Sequence, residues 1–147
     1  MDAEFRFRLF CQSRPPALSA LPLAPAEVDQ LMRLQFQAQT TSYRAQFPGA
    51  QFDIIELEGR PIGRIIVDRN DARLLIVDQA IVPELRNRGI GTALMRSVMD
   101  AAAAATLPLR LHVASDNDPS LRLYLRLGFV PVVCSIPMYV ELEWSLR

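Results

Sequence analysis

The chain reads as a single α/β (α+β) domain, a mixed and mostly antiparallel sheet with helices on both faces. Three observations predict it. Two alternating apolar runs, Phe52 to Leu57 and Ile62 to Val67, flank the turn Glu58-Gly59-Arg60-Pro61, as in a hairpin. The run Leu74 to Val82 is apolar enough for a central strand buried on both faces. The pattern then becomes a helical stripe, Ile90, Leu94, Val98, Ala101, Ala102 and Ala105, before alternation returns. Strands interrupted by single helices in this order need cover on both faces of the sheet.

Taken in order, Phe5-Arg6-Phe7-Arg8-Leu9-Phe10 alternates apolar and basic residues and predicts a half-buried strand. Ser13 to Ala26, with Pro15, Pro16, Pro22 and Pro25, predicts an irregular connection. A helix is expected from about Glu27, with Val28, Leu31, Leu34 and Ala38 on one face. Phe47-Pro48-Gly49 ends it. After the hairpin, Asp68 to Ala72 forms a turn into the central strand. The alanine run Ala101 to Ala105 supports the next helix by propensity. Leu109-Arg110-Leu111-His112-Val113 alternates again, so that 74–82 and 109–113 are the fourth and fifth expected strands. A short helix spans Asp118 to Leu127, stopped by Gly128, and two closing strands cover Phe129 to Cys134 and Met138 to Trp144. No internal repeat and no second domain is visible in the 147 residues.

Composition excludes several chemistries. The sixteen basic residues are all arginine, balanced by sixteen Asp and Glu, at a pI near 6.6. Without lysine there is no P-loop NTPase, no Schiff-base chemistry with pyridoxal phosphate and no protein kinase. The neutral balance argues against nucleic-acid and membrane-surface partners. Half the residues are apolar, enough for a core without disulfides. Cys11 and Cys134 lack metal-ligand spacing and read as core, and one histidine makes a Cys/His metal site improbable, so no metal is expected. The start Met1-Asp2-Ala3-Glu4 is not a signal peptide, and no apolar run approaches the ~20 residues of a membrane span, so a soluble, cytoplasmic protein is expected.

The most informative stretch is Asp78-Gln79-Ala80-Ile81-Val82-Pro83-Glu84-Leu85-Arg86-Asn87-Arg88-Gly89-Ile90-Gly91-Thr92: a buried strand, an arginine-rich turn with two glycines, and a helix start. Unpaired N–H groups and the positive end of the helix dipole make that junction a ready anion site. It is not a dinucleotide fingerprint, because leucine stands at position 94 where a third glycine belongs. The residues alone also fit a capped helix behind a solvated arginine turn.

Arg86-x-x-Gly89-x-Gly91 resembles the signature loop of the GCN5-related N-acetyltransferase (GNAT) superfamily, Q/R-x-x-G-x-G/A. Asn117-Asp118-Pro119-Ser120-Leu121-Arg122-Leu123-Tyr124-Leu125-Arg126-Leu127-Gly128-Phe129 resembles its second signature, N-x-x-A/S-x-x-x-Y-x-x-x-G-F. Order and spacing agree over roughly residues 50–144, as in a small bacterial-type member. The resemblance implies the GNAT fold, with the sheet splayed between the fourth and fifth strands, and an acetyl-CoA-dependent enzyme acetylating a primary amine. Its acetyl-CoA-binding core is 73–130. There, backbone groups of Gln79, Ala80 and Ile81 face the pantetheine arm, and the loop from Arg86 through Asn87, Arg88, Gly89, Ile90, Gly91 and Thr92 holds the pyrophosphate. Asn117 binds the cofactor arm, and Tyr124 protonates the departing thiolate. The strand N–H of Ile81 serves as oxyanion donor. Gln79 stands where many members carry an apolar residue.

Removing a proton from an alkylammonium of pKa ~10.4 calls for a base or a water chain. His112, the only histidine, lies five residues before Asn117, where the ribosomal-protein branch of the family carries a glutamate base. Histidine titrates near neutrality and suits a proton relay. Asp78, an acid at the end of an apolar strand, is the other candidate. The region 1–50 is an atypical, shortened acceptor side with room for one clear helix, whose Gln35-Phe36-Gln37-Ala38-Gln39, Tyr43 and Phe47 resemble acceptor-side residues. An open pocket, or one completed in a homodimer, follows from that reading. So does a catalytically degenerate CoA-binding sensor or interaction module as the alternative function.

Overall fold

Phe5 to Phe10 is helical, not extended. The computed structural model describes residues 2–12, 22–132 and 136–146, and this segment lies inside helix α1, Asp2–Gln12. A six-residue alternation is compatible with both periods, and the packing partners decide between them. A strand would put Phe5, Phe7 and Leu9 on one face. The helix divides them: Leu9, with Phe5 beside it, packs on Ile62, Ile81 and Val82, while Phe7 and Phe10 meet Met32 and Phe36. One segment thereby joins two clusters.

Helix α2, Pro25–Gln46, starts with proline in its first turn, where no N–H is needed, and the Ala24 N–H donates to Glu27 Oε1 at 3.1 Å. Its buried side is Met32 with Val28 and Phe36, whose ring lies 5.8 and 5.4 Å from those of Phe7 and Phe10. The expected stripe through Leu34 and Ala38 instead faces solvent, Leu34 being 58% exposed. Most of the proline-rich connection, together with Cys134, lies outside the described residues. The N-terminal region thus holds two helices where one was expected.

The sheet contains β1 (Gln51–Leu57), β2 (Arg60–Arg69), β3 (Leu74–Ile81), β4 (Leu109–Ala114), β5 (Val130–Val132) and β6 (Tyr139–Trp144), in the spatial order β1-β2-β3-β4-β6-β5. Only β3 and β4 are parallel. Helix α3, Ile90–Ala105, makes the crossover between them, and α4, Asp118–Leu127, follows β4. Met95, Met99 and Ala102 of α3 pack on Leu74, Ile76, Leu109, Leu111 and Leu142. Each large apolar side chain buried there contributes about 1.5–3 kcal/mol. Strand alternation sends Ile65 and Val67 of β2 to that cluster, and Ile62 and Arg64 to the face covered by α1 and α2. Among the described residues no helix is long and apolar enough to cross a membrane.

The feature that positions the site is a short pairing. β3 and β4, the fourth and fifth expected strands, pair only through Leu74–Leu109, Leu75–Arg110 and Ile76–Leu111. On its other edge β3 carries a bulge: Val67 pairs with Ile76 and Ile66 with Asp78, leaving Val77 as the extra residue. A bulge bends its strand and raises the local twist. β3 therefore turns away from β4 where the pairing stops.

Candidate active site

Past Ile76 and Leu111 the parted strands enclose a cavity of about 210 Å³, lined by Val77, Asp78, Gln79, His112, Asn117 and Tyr124 among others. Asn117 caps α4, its Oδ1 accepting the Ser120 N–H at 3.4 Å, and Pro119 in the first turn suits a helix start. Tyr124 lies two turns along, its ring edge-on to Phe129 at 5.6 Å. Burial pushes the Tyr124 phenol above its usual value near 10, because the interior disfavours phenolate. At neutral pH this hydroxyl is a proton donor.

A second cavity, about 350 Å³, opens on the other face of the sheet. Phe10 of α1, Gln39 and Tyr43 of α2, and Arg64 and Tyr139 of the sheet line it. It shares Val77, Asp78, Gln79 and His112 with the first cavity. The two expected acceptor-side residues Gln39 and Tyr43 therefore stand on the far side of Asp78 and His112 from Tyr124.

The residues where the cavities meet differ in how they are bonded. Arg64, 5% exposed, donates from Nη2 to Asp78 Oδ2 and to Gln39 Oε1, the latter at 3.0 Å. Asp78 Oδ1 accepts the Gln79 N–H at 2.9 Å. Both oxygens of Asp78 are thus engaged. His112 stands on the solvent-reached face of β4, opposite in direction to the buried Leu111 and Val113, with 31% of its side chain exposed. Arg64 Nε and Gln79 Oε1 are buried with no hydrogen-bond partner among the described residues. Unpaired buried polar atoms are costly and mark places where a ligand group or water belongs.

Beyond β3 the Val82 N–H donates to the Ile62 carbonyl at 2.8 Å. Successive strand N–H groups point to alternate edges, so the Ile81 N–H points away from β2, toward the opening. Ala80 lines the acceptor-side cavity, and Ile81 is buried beside Leu9 and Ile62. A 3₁₀ turn, Pro83–Leu85, leads into the glycine loop, where Arg86 Nε donates to the Ile81 carbonyl at 3.0 Å and anchors the loop to the strand. Asn87 and Gly89 have φ of +62° and +80°. Arg86, Asn87, Arg88 and Gly89 are exposed, whereas Ile90 turns into the cluster around Leu9. No side chain caps α3, so its first-turn N–H groups, those of Ile90, Gly91 and Thr92, have no intrahelical partner.

A cavity of about 450 Å³ lies over this loop, between Asn87, Gly89, Gly91 and Thr92 on one side and Arg122 and Arg126 of α4 on the other. The two arginines were missing from the expected site. Their signal was available: they are four apart on a short helix and so share a face. Cys11 packs with Phe7, Phe10 and Met32. Among the described residues no group of three or more His, Cys, Asp or Glu is placed to hold a metal ion.

Residues 20–129, well over half the chain, match the model of the acetyltransferase (GNAT) family. The chain belongs to that family and is an acyltransferase. No curated protein sequence matches it significantly. Solved structures share its fold. The PaiA N-acetyltransferase of Thermoplasma acidophilum, in complex with coenzyme A, is 16% identical with a TM-score of 0.70, over 99% of this chain and 93% of that one. Ard1 of Thermoplasma volcanium is 20% identical with a TM-score of 0.65, over 99% and 92%. A GNAT family acetyltransferase from Elizabethkingia anophelis with acetyl-CoA bound is 17% identical with a TM-score of 0.61, over 74% and 82%.

Proposed function

We propose that the chain is an acetyl-CoA-dependent N-acetyltransferase, in which a primary amine of a small molecule or a peptide N-terminus attacks the acetyl group directly. One observation carries this reading: where β3 leaves β4, a cavity holding Asn117 and Tyr124 meets a cavity walled by α1 and α2, and His112, Asp78 and Gln79 belong to both. An acyl donor and an acceptor entering from opposite faces would meet at those residues.

The chain's groups fit acetyl-CoA. The uncapped first turn of α3 and the exposed loop offer N–H groups to a pyrophosphate. A methyl added at Gly89 or Gly91 would meet nothing within 4 Å, so the space a close-lying phosphate needs is open. Arg122 and Arg126 add positive charge across that space. The PaiA relative with coenzyme A and the Elizabethkingia relative with acetyl-CoA support the same choice.

Acetyl-CoA supplies an activated thioester. The Ile81 N–H, turned to the opening, serves as the donor to the developing oxyanion. His112 takes the proton from the attacking amine, directly or through water. Asp78 is the weaker candidate, since Arg64 and the Gln79 N–H already hold its oxygens. Tyr124, kept protonated by burial, delivers a proton to the leaving thiolate. A CoA-binding sensor without activity rested on a shortened acceptor side, and α1 and α2 supply that side with two walls.

The test is thiol release from acetyl-CoA against a panel of primary amines: small amines, amino acids, polyamines, antibiotics and short peptides. Turnover with a subset, lost in His112→Ala, is the expected result. Tight acetyl-CoA binding without thiol release for any class would overturn the enzymatic reading in favour of the sensor.

A further inference from the structure

The reading of His112 as the base leaves open which ring nitrogen takes the proton. β6 supplies an answer. Glu141 sits directly opposite His112 in the β4–β6 register, and its Oε2 lies 3.8 Å from His112 Nε2. Its other oxygen, Oε1, lies 3.6 Å from Arg110 Nη1, and Arg110 Nη2 is 3.1 Å from Glu143 Oε2. The Glu141 carboxylate is therefore held between a guanidinium on one side and the imidazole on the other. It is 16% exposed, less than either partner.

We infer that Glu141 is the positioning residue of His112: its carboxylate faces Nε2, keeps the ring's proton there and leaves Nδ1 as the acceptor for the amine's proton. This rests on the assignment of His112 as the base. A carboxylate only accepts hydrogen bonds, and neutral imidazole has one N–H and one lone pair. The nitrogen facing a carboxylate thus carries the proton, and the other nitrogen does the chemistry. The other charged or titratable groups around the ring are Arg110 and Glu143, its neighbours on the same face, Tyr139 beside it on β6, and, across the two cavities it lines, Tyr43, Tyr124 and the Asp78–Arg64 pair. Of these the two acids, Glu143 and Asp78, pair with arginines and not with the ring, so among the described residues Glu141 is the carboxylate that breaks the symmetry between its nitrogens.

His112 is the only histidine of the chain, so ¹⁵N NMR of the imidazole reads its tautomer in the whole protein without knowledge of the acceptor. In the wild type the neutral ring is expected as the Nε2–H form. In Glu141→Met, which removes the carboxylate, the ratio of Nε2–H to Nδ1–H falls about threefold, as for a partly exposed electrostatic contact. Acetyl-CoA affinity by calorimetry stays within about twofold, because the cofactor groups are untouched. With the panel amine giving fastest thiol release, kcat falls about fivefold or more while KM for acetyl-CoA holds. Should Glu141→Met fail to fold, Glu141→Gln is read instead, with a drop of about twofold since the amide keeps one acceptor oxygen. An unchanged ratio in the folded variant overturns the role of Glu141, while loss of turnover in His112→Ala upholds the base. Full turnover in His112→Ala overturns the base itself, and with it the catalytic meaning of the pair.

Discussion

Arg64 and Asp78 form an ion pair across β2 and β3 in which the two partners are unequally buried: 6% of the arginine side chain is exposed and 25% of the aspartate. The Gln39 carbonyl oxygen accepts from the same guanidinium nitrogen, so α2 is tied to the sheet at this point. Breaking a buried pair costs most when the deeper charge is left alone. Asp78→Asn is expected to destabilise the protein by about 3 kcal/mol, near the lower end of such losses. Arg64→Met, leaving an aspartate that water reaches, costs less, about 1–2 kcal/mol. Urea unfolding at neutral pH checks the order. The double variant should cost less than the two singles together, and strict additivity would show that the pair is not coupled.

Gly89 and Gly91 look alike in the signature loop but sit in different backbone conformations. Gly89 has φ +80°, so Gly89→Ala strains the turn by about 1 kcal/mol and lowers both stability and acetyl-CoA affinity. Gly91 lies in the first turn of α3 and no such φ restricts it. Gly91→Ala is expected to raise the melting temperature of the ligand-free protein, since alanine favours the helix by up to about 1 kcal/mol. The loop signature admits glycine or alanine at this position, so acetyl-CoA affinity should stay within about twofold. Melting curves and calorimetry check both expectations, and a loss of affinity at Gly91 as large as at Gly89 would mean that the loop needs glycine at both positions.

Arg122 and Arg126 face the glycine loop across a cavity of about 450 Å³. A charge-assisted hydrogen bond to a phosphate is worth roughly 1.5–3 kcal/mol when desolvated, and these exposed side chains sit at the weak end. Replacing either with Gln should loosen acetyl-CoA about tenfold at low salt, with a smaller loss at high salt where the charges are screened. Calorimetry at two ionic strengths measures this. Equal affinity in the double variant would mean that α4 offers no charge to the cofactor.

Local patterns account for what was legible in the sequence. The run from Leu74 through the glycine loop to Ala105 is contiguous, and each transition has its own signal: apolar run, glycines, helical stripe. Its observed bounds, Leu74–Ile81 and Ile90–Ala105, lie within a residue of expectation. Helix α1 was hidden because six residues of alternation carry no information about a second packing partner, and only Met32 and Phe36, some twenty residues on, make the helix the better solution. Arg64 is buried because α2, distant in sequence, covers that face of β2, and nothing near it in the chain signals that cover. Glu141 was invisible as a partner of His112 because their pairing depends on the β4–β6 register, across 28 intervening residues. Long-range pairing, not residue type, set the limit.

Tyr124 joins the two levels, since one property governs both its chemistry and its contribution to stability. Burial raises its folded-state value above the usual ~10 of the unfolded chain. Below about pH 10 the phenol is protonated in both states and its contribution to stability is complete. As the pH rises past that point the unfolded chain ionises first, and stability is lost progressively up to the folded-state value. Tyr124→Phe has no such proton, so its urea midpoint should fall less steeply than the wild type's between about pH 9 and 11. Parallel curves would mean that the phenol is no better buried than an exposed tyrosine. In turnover the same variant should lose about a hundredfold in kcat, the low end for a missing general acid, while acetyl-CoA affinity stays within about twofold. The combination separates the roles: a steeper loss of affinity than of kcat would make Tyr124 a binding residue, and an unchanged kcat would pass the thiolate's proton to water.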